Sequence, residues 1–187
     1  ERGIFNREAS VKQAAKNGRR ESCYEFGTNP CSEIILRPNQ FCNLTEVVIR
    51  ANDSLEDLTR KVRLATILGT IQSTYTKFPY LRKVWATNTE AERLLGVSLT
   101  GIMDNKLMTT ANAGLADTLE HLKNVAVSTN AEWADRLGIP HSTAITCVKP
   151  SGTVSQLVDS SSGIHARHSP YYIRTVRGDN KDPLTEF

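Results

Sequence analysis

The sequence predicts an α/β fold, and three observations support this prediction. Apolar residues repeat at spacings of three and four over residues 55–71, which is typical of a long amphipathic helix. Short apolar runs at 97–103 and 142–148 alternate with helical segments, as in proteins whose helices cover a sheet. No change of composition along the 187 residues marks a second domain. We therefore expect one α/β unit.

The first fifty residues predict short elements. Residues 7–18 favour a short helix, and residues 19–30 favour a connection that contains a short strand. We expect extended chain over 33–36, a turn at 37–39, and a second extended run over 41–48.

Two capping boxes predict where the next helices begin. Asp53 and Glu56 stand three residues apart and predict the start of the long helix, which should reach the mid-seventies. Thr89 and Glu92 have the same spacing and predict the start of a short helix, which Gly96 should end.

The second half of the chain predicts alternating strands and helices. Residues 97–103 read as a buried strand, although Gly101 weakens it. A helix is expected within 112–137 and is stopped by the glycine and proline that follow. Strands are predicted at 142–148 and 171–176, with a tight turn and a helix start near 150–153 between them.

Composition excludes several classes of protein. Hydrophobic residues make up 39%, charged residues 23% and the net charge is +3, which excludes disordered, collagen-like and membrane-spanning chains. The basic residues are scattered, so neither nucleic acid nor a membrane is an expected partner. Four cysteines are too few for a disulfide-stapled secreted protein, and a reducing cytoplasm is the expected compartment. Because the chain starts at Glu1 and stops at Phe187, we expect a piece of a longer protein.

The first constellation that could carry chemistry is Asn29-Pro30-Cys31-Ser32-Glu33, followed by Cys42. Residues two apart on an extended segment point to the same side, so Cys31, Glu33 and Asn29 could face one substrate. The alternative stays open, because cysteine is among the most buried residue types and is usually inert.

The second constellation runs from Lys149 to Ser155, directly after an apolar strand. A turn with glycine before a helix start offers free backbone N–H groups to a phosphate, and hydroxyls add donors. The candidate phosphate-binding residues are Pro150, Ser151, Gly152, Thr153 and Ser155. The pattern is not that of an ATP-hydrolysing P-loop, and a helix cap without any ligand is an equally good interpretation.

The third constellation is the polar run from Ser160 to Pro170, which is either a surface loop or part of a site. His165 and His168 stand three residues apart, a spacing that can suit a metal. No cysteine or carboxylate clusters with them in sequence, so no metal site is predicted.

Several ordered motifs together resemble the ribonucleotide reductases, most closely the monomeric adenosylcobalamin-dependent ribonucleoside-triphosphate reductases. The resemblance covers nearly the whole chain. It is carried by Asn29-Pro30-Cys31-Ser32-Glu33, Phe41-Cys42-Asn43-Leu44, residues 61–73, 92–104 and 149–155, and Ser169-Pro170-Tyr171-Tyr172-Ile173-Arg174.

The resemblance implies a fold and a set of roles. The family fold is a ten-stranded α/β barrel with a central finger loop, and residues 1–187 would form a single segment of that catalytic domain. Cys31 would carry a thiyl radical at the tip of the loop. Glu33 would act as general base at the 3′ hydroxyl of the ribose, and Asn29 would hydrogen-bond the sugar. Cys42 would be one of two reducing cysteines, and Cys31 and Cys42 should then lie around a common cavity lined by Asn29 and Glu33.

The resemblance also implies partners. The cofactor would be adenosylcobalamin, the substrate a ribonucleoside triphosphate, and the reductant thioredoxin or a similar dithiol acting through regions outside this chain. The second reducing cysteine would lie outside it too, so Cys23 and Cys147 are expected to be structural. Two alternatives stay open: a reductase whose radical comes from a separate subunit, and a nucleotide-binding module that performs no chemistry.

Overall fold

The computed structural model describes residues 4–110, 113–173 and 175–186. The termini Glu1 and Phe187, and Arg174 in the last predicted strand, lie outside these residues. The elements along the described chain are α1 (Arg7–Ala15), β1 (Gly27–Thr28), β2 (Ile35–Leu36), β3 (Asn43–Val48), α2 (Leu55–Gln72), α3 (Lys83–Glu92), β4 (Leu95–Thr100), α4 (Lys106–Thr109), α5 (Ala113–Leu137) and α6 (Thr153–Leu157). Single 3-10 turns occupy Lys16–Gly18, Ile102–Asp104 and Pro183–Glu186.

The α/β prediction is confirmed by a parallel sheet whose strands are connected through helices. β3 and β4 pair in parallel over their full length, from Asn43 opposite Leu95 to Val48 opposite Thr100. Residues 144–147 run along the other side of β4, where a single bridge joins Val97 to Thr146. The strand predicted over 142–148 is therefore reduced to one bridge.

The core lies between this sheet and two long helices. α2 packs against both β3 and β4 and, on another side, against α5. The buried cluster consists of Val47, Ile49, Leu58, Val62, Val97, Met108, Leu122 and Ala126. The helical periodicity of α2 places Leu58 and Val62 one turn apart on the buried face, as the sequence pattern predicts.

Helix starts differ from the predicted caps. α2 begins one residue later than predicted, because Ser54 is the N-cap and completes a capping box with Asp57. The box predicted from Thr89 and Glu92 is wrong: both residues are buried at the C-terminal end of α3. The helix ends there because Arg93 adopts a left-handed φ of 46°. A serine or threonine three residues before a glutamate also occurs inside helices, so the spacing alone misplaced the helix.

Two strand predictions also need correction. The strand predicted over 97–103 begins at Leu95 and ends at Thr100, because Gly101 turns the chain with a φ of 76°. A Cβ atom at Gly101 would stand 2.5 Å from the Ile49 carbonyl oxygen, so only glycine fits. The strand predicted over 171–176 is wrong in its described residues, where exposed chain pairs with no other strand. Helix α5 (Ala113–Leu137) lies within the predicted range, and Gly138, with a φ of 66°, follows its last residue. No helix among the described residues is long and apolar enough to cross a bilayer.

Candidate active site

Cys31 lies on the turn of the β1–β2 hairpin. Gly27 pairs with Leu36 and Thr28 with Ile35, so the chain reverses over residues 29–34. Asn29 closes this loop, because its Oδ1 atom accepts a hydrogen bond from the Ile34 N–H at 3.0 Å. Ser32 has a left-handed φ of 64°, so the segment is a turn rather than extended chain. Cys31 is exposed at its tip, and the same-side argument for Cys31 and Glu33 does not apply there.

Glu33 turns inward from the same hairpin. Its side chain is only 1% exposed, and neither carboxylate oxygen has a hydrogen-bond partner within the described residues. The ammonium nitrogen of Lys149 lies 4.0 Å from one of these oxygens. A buried carboxylate without hydrogen bonds is costly in free energy, so Glu33 is a candidate to bind a ligand or a polar group from another part of the protein.

Two thiols stand near this carboxylate. Burial raises the pKa of the Cys42 thiol, and the negative charge of Glu33 raises it further. Burial, Glu33 and Cys42 together raise the pKa of Cys147 to about 12. Both side chains are therefore neutral thiols at physiological pH, which suits the transfer of hydrogen atoms better than nucleophilic attack.

A cavity of about 760 Å³ opens beside Glu33. Cys147 and Thr146 line it together with apolar side chains of β4, α4 and α5. The common cavity predicted for the four catalytic candidates is not found among the described residues. Glu33 lines this cavity, while Asn29 and Cys31 lie on the exposed hairpin turn and Cys42 precedes β3. The roles of Asn29, Cys31, Glu33 and Cys42 stay predictions.

A second cavity, of about 720 Å³, is polar and includes part of the predicted phosphate loop. Ser151, Gly152 and Ser155 line it, whereas Pro150 and Thr153 are exposed next to it. Helix α6 begins at Thr153 as predicted, and the Ser155 hydroxyl donates to the Gly152 carbonyl at 2.8 Å.

The opposite wall of this polar cavity comes from residues that the sequence left without a function. Ser160, Ser161 and Ser162 line it, together with Arg167 and His168. The hydroxyls of Ser151, Ser160 and Ser161 are buried and lack a hydrogen-bond partner within the described part of the chain. Three donors of this kind around one cavity fit a ligand rich in acceptor oxygens, such as a phosphate.

Arg167 supplies a cation at the rim of the polar cavity, but its charge is already engaged. Its guanidinium donates to Asp104 Oδ1 at 3.0 Å and to Asp159 Oδ1 at 2.8 Å. These two hydrogen bonds, that to Asp104 first, raise the pKa of Arg167 above its ordinary value. The free hydroxyls and backbone N–H groups are therefore the donors most available to an anion.

No family model matches the chain. The chain is 30% identical over 183 residues to the adenosylcobalamin-dependent ribonucleoside-triphosphate reductase of Lactobacillus delbrueckii subsp. bulgaricus, an alignment that covers 84% of this chain and 24% of that protein. It is 31% identical to the enzyme of the same name from Levilactobacillus brevis, over 90% of this chain and 26% of that one. The chain thus spans about a quarter of the length of these relatives.

A solved structure is also similar. The crystal structure of a B-12 dependent (class II) ribonucleotide reductase superposes on 74% of this chain and 22% of its own, with a TM-score of 0.63 and 25% identity. The resemblance to the adenosylcobalamin-dependent ribonucleoside-triphosphate reductases is confirmed.

Two parts of the candidate site were not predicted from the sequence. Cys147 was expected to be a structural residue, yet it lines the cavity of Glu33. Its position two residues before Lys149 was the available signal, because Lys149 contacts Glu33. For Ser160 to Ser162 the signal was the polar run itself, which was read as either a surface loop or a site. No group of three His, Cys, Asp or Glu side chains within the described ranges could hold a metal ion.

Proposed function

We propose that this chain is part of an enzyme that reduces ribonucleoside triphosphates to 2′-deoxyribonucleoside triphosphates by a thiyl-radical mechanism. Residues 1–187 form a single segment of the catalytic domain, a ten-stranded α/β barrel whose finger loop is the β1–β2 hairpin. The observation that carries the proposal is that one short hairpin presents an exposed thiol, Cys31, two residues before Glu33, whose buried carboxylate lacks a hydrogen-bond partner among the described residues.

The reaction of the ribose is assigned to residues of the hairpin and to the thiols near it. Cys31, as a thiyl radical, removes the hydrogen atom from the 3′ carbon of the ribose. Glu33 accepts the proton of the 3′ hydroxyl, which its burial and its free oxygens favour. Asn29 hydrogen-bonds the sugar hydroxyls, and the 2′ hydroxyl leaves as water. Cys42, a neutral thiol, then supplies reducing equivalents with a second cysteine outside this chain, and the two end as a disulfide.

One residue of this chain, Cys31, is placed where the proposed cofactor can approach it. Cys31 is exposed on a hairpin turn, so a group as large as adenosylcobalamin has room to approach its sulfur. When bound, adenosylcobalamin supplies the radical chemistry that oxidises this thiol. The part of this chain is to hold Cys31 at the tip of the hairpin and to keep Glu33 away from water.

The polar cavity binds the phosphates of the substrate. Ser151, Gly152 and Ser155 form one wall, and the free hydroxyls of Ser160 and Ser161 stand on the other. Pro150 and Thr153 shape the turn between the apolar segment and α6. Lys149 contacts Glu33 and is two residues before Ser151, so we expect one nucleotide to place its sugar at Glu33 and its phosphates at the serines.

The alternatives have less support. The similar proteins are named adenosylcobalamin-dependent, which does not favour a reductase with a separate radical-generating subunit. A pure nucleotide-binding module has no need of the combination of Cys31, Glu33 and Cys42. A dithiol such as thioredoxin is the proposed reductant, and the cytoplasm is the proposed compartment.

The decisive experiment replaces the hairpin thiol in the full-length protein. We expect Cys31→Ser to abolish deoxynucleotide formation, because serine cannot form a comparable radical, while nucleotide affinity changes by less than about twofold. Cys23→Ser is the matched control, since Cys23 is also an exposed thiol and should be dispensable. Unchanged turnover in Cys31→Ser would refute the proposed mechanism.

The phosphate site is tested by Ser160→Ala, which removes a free hydroxyl but keeps the hydrogen bond from the Ser160 N–H to the Ser155 carbonyl. We expect KM for the nucleotide to rise about tenfold with kcat little changed, since a hydrogen bond to a charged group is lost. The control is Ser128→Ala on the exposed side of α5. An unchanged KM would contradict the placement of the phosphates.

A further inference from the structure

Three polar side chains converge on the buried carboxylate of Glu92. Arg20 donates two hydrogen bonds to it, from Nε to Oε1 at 2.8 Å and from NH2 to Oε2 at 2.7 Å. The guanidinium of Arg37 lies 2.9 Å from Oε1. Gln40 donates from Nε2 to Oε2 at 2.5 Å. The side chains of Glu92 and Arg20 are each only 2% exposed, so this is an enclosed ion cluster.

The cluster lies at the base of the hairpin that carries the reactive residues. Arg20 precedes β1 and Arg37 follows β2. The chain entering the hairpin and the chain leaving it therefore both bind the carboxylate of Glu92. Arg20 also donates to the Ile35 carbonyl of β2 at 2.8 Å. One residue of α3 thereby fixes both ends of the β1–β2 hairpin.

The segment after the hairpin is held on α3 by further contacts. Asn88 donates through Nδ2 to the Pro38 carbonyl at 2.9 Å, and the Phe41 N–H donates to the Thr89 hydroxyl at 3.3 Å. The guanidinium of Arg37 also covers the ring of Tyr24, 3.7 Å from its centroid. The hairpin therefore packs on α3 in one defined position, and Glu92 is the charged residue at the centre of this contact.

Burying the charge of Glu92 costs free energy, which argues that the cluster serves to orient the hairpin. Glu92 is the last residue of α3, where the helix dipole disfavours a negative charge, and burial adds a desolvation penalty. Buried ion clusters add little net stability compared with apolar packing, but their directional hydrogen bonds admit few alternative arrangements. A carboxylate kept in such a place is explained by the orientation that it imposes on its partners.

We propose that Glu92 is a positioning residue, which sets the hairpin over residues 27–36 on α3 and thereby places Cys31 and Glu33 for reaction. The inference rests on the proposed function for the roles of Cys31 and Glu33. Glu92 itself touches neither the substrate nor the reacting atoms.

The test is Glu92→Gln in the full-length protein, read by hydrogen exchange and by steady-state kinetics. We expect exchange of the hairpin amides over residues 27–36 to become at least about tenfold faster, while α2 and α5 keep their protection. We expect kcat to fall by about a hundredfold, because small displacements of reacting groups are costly, with KM changed by less than about twofold. The matched control is Glu132→Gln, which also removes a carboxylate between two arginines, on α5 and away from the hairpin.

The outcomes separate the two claims. Unchanged hairpin exchange and unchanged kcat in Glu92→Gln, with turnover lost in Cys31→Ser, would overturn the positioning role and leave the proposed function standing. Faster hairpin exchange, with turnover retained in Cys31→Ser, would support the anchoring of the hairpin by Glu92 and refute the proposed function. Equal loss of protection in α2 and α5 would also overturn the inference, since Glu92 would then be a general structural residue. If Glu92→Gln does not fold, Arg37→Gln removes one ion contact to Glu92 and the cation–π contact with Tyr24, and takes the same measurements.

Discussion

Two regions of the molecule are held together in different ways. The hairpin region, residues 19–42 with α3, is joined by ion pairs and hydrogen bonds around Glu92. The parallel layer, β3 and β4 with α2 and α5, is joined by a buried apolar cluster around Leu58. Directional polar contacts set position, whereas apolar burial supplies most of the stability. The residues proposed to react with the sugar stand on the positioned region, and the stable layer forms most of the apolar wall of the cavity beside Glu33.

The strongest test of this contrast is to weaken the layer alone. Leu58 is fully buried, and Leu58→Ala should reduce the local free energy of opening by about 2–5 kcal/mol. Hydrogen exchange in the full-length protein should show the loss in α2, β3 and α5, with the hairpin amides changed little. Leu64→Ala on the exposed side of the same helix is the control and should cost less than about 0.5 kcal/mol. A comparable loss in the hairpin would show that the two regions open together.

Thiol chemistry offers a second way to separate the regions. The pKa of Cys147 is about 12 against an ordinary 9.0, so at pH 8 its thiolate fraction is lower by about a thousandfold. The higher nucleophilicity of that thiolate offsets part of the difference, and alkylation at Cys147 should be roughly a hundredfold slower than at exposed Cys23. Mass spectrometry after timed iodoacetamide treatment measures both rates. Similar rates would show that the cavity around Glu33 admits solvent freely.

As the pH falls, the hairpin region should lose stability before the parallel layer does. Burial alone would raise the pKa of Glu92, but the hydrogen bonds from Arg20 and Gln40 and the charges of Arg20 and Arg37 hold it below its ordinary 4.5. A carboxylate with a lowered folded pKa stabilises the fold fully above its unfolded value. That contribution is lost as the pH falls through the folded pKa. The step should therefore lie below pH 4.5 and should be absent in Glu92→Gln.

Trp85 can report this acid step, because its ring packs on Phe41 with centroids 4.7 Å apart, at the end of the hairpin region. The measurement is the fluorescence change during acid titration of the full-length protein that is lost when Trp85 is replaced in Trp85→Phe. An identical titration in Glu92→Gln would assign the step to another carboxylate.

Periodicity predicted the layer well and the hairpin region poorly, for a physical reason. α2 and α5 follow from apolar residues spaced along one stretch of chain, so their existence and approximate ends can be derived locally. Glu92 was misread as part of a helix start, because its partner Arg20 stands 72 residues away and no local pattern encodes such a pair. The motif around Cys31 and Glu33 was identified from residue types, but the burial of one and the exposure of the other depend on the turn at Ser32.

The polar cavity shows the same limit. The loop at Ser151 was predicted from its turn chemistry, whereas the wall formed by Ser160 and Ser161 requires the chain to fold back on itself. Gly163, with a φ of 55°, permits that return. A side chain there would crowd the chain, since a Cβ would stand 3.1 Å from the Lys149 carbonyl oxygen.

Lys149 connects Glu33 to the polar cavity through a short stretch of backbone. Its ammonium group lies 4.0 Å from Glu33, and Ser151 of the polar cavity is only two residues further along the chain. Two extended residues span at most about 7 Å, so under the proposed function the backbone limits how far the phosphate end of the nucleotide can stand from Lys149. One residue inserted between Lys149 and Ser151 would lengthen the backbone between them by up to about 3.8 Å. The proposed nucleotide could then no longer place its sugar and its phosphates at both sites at once.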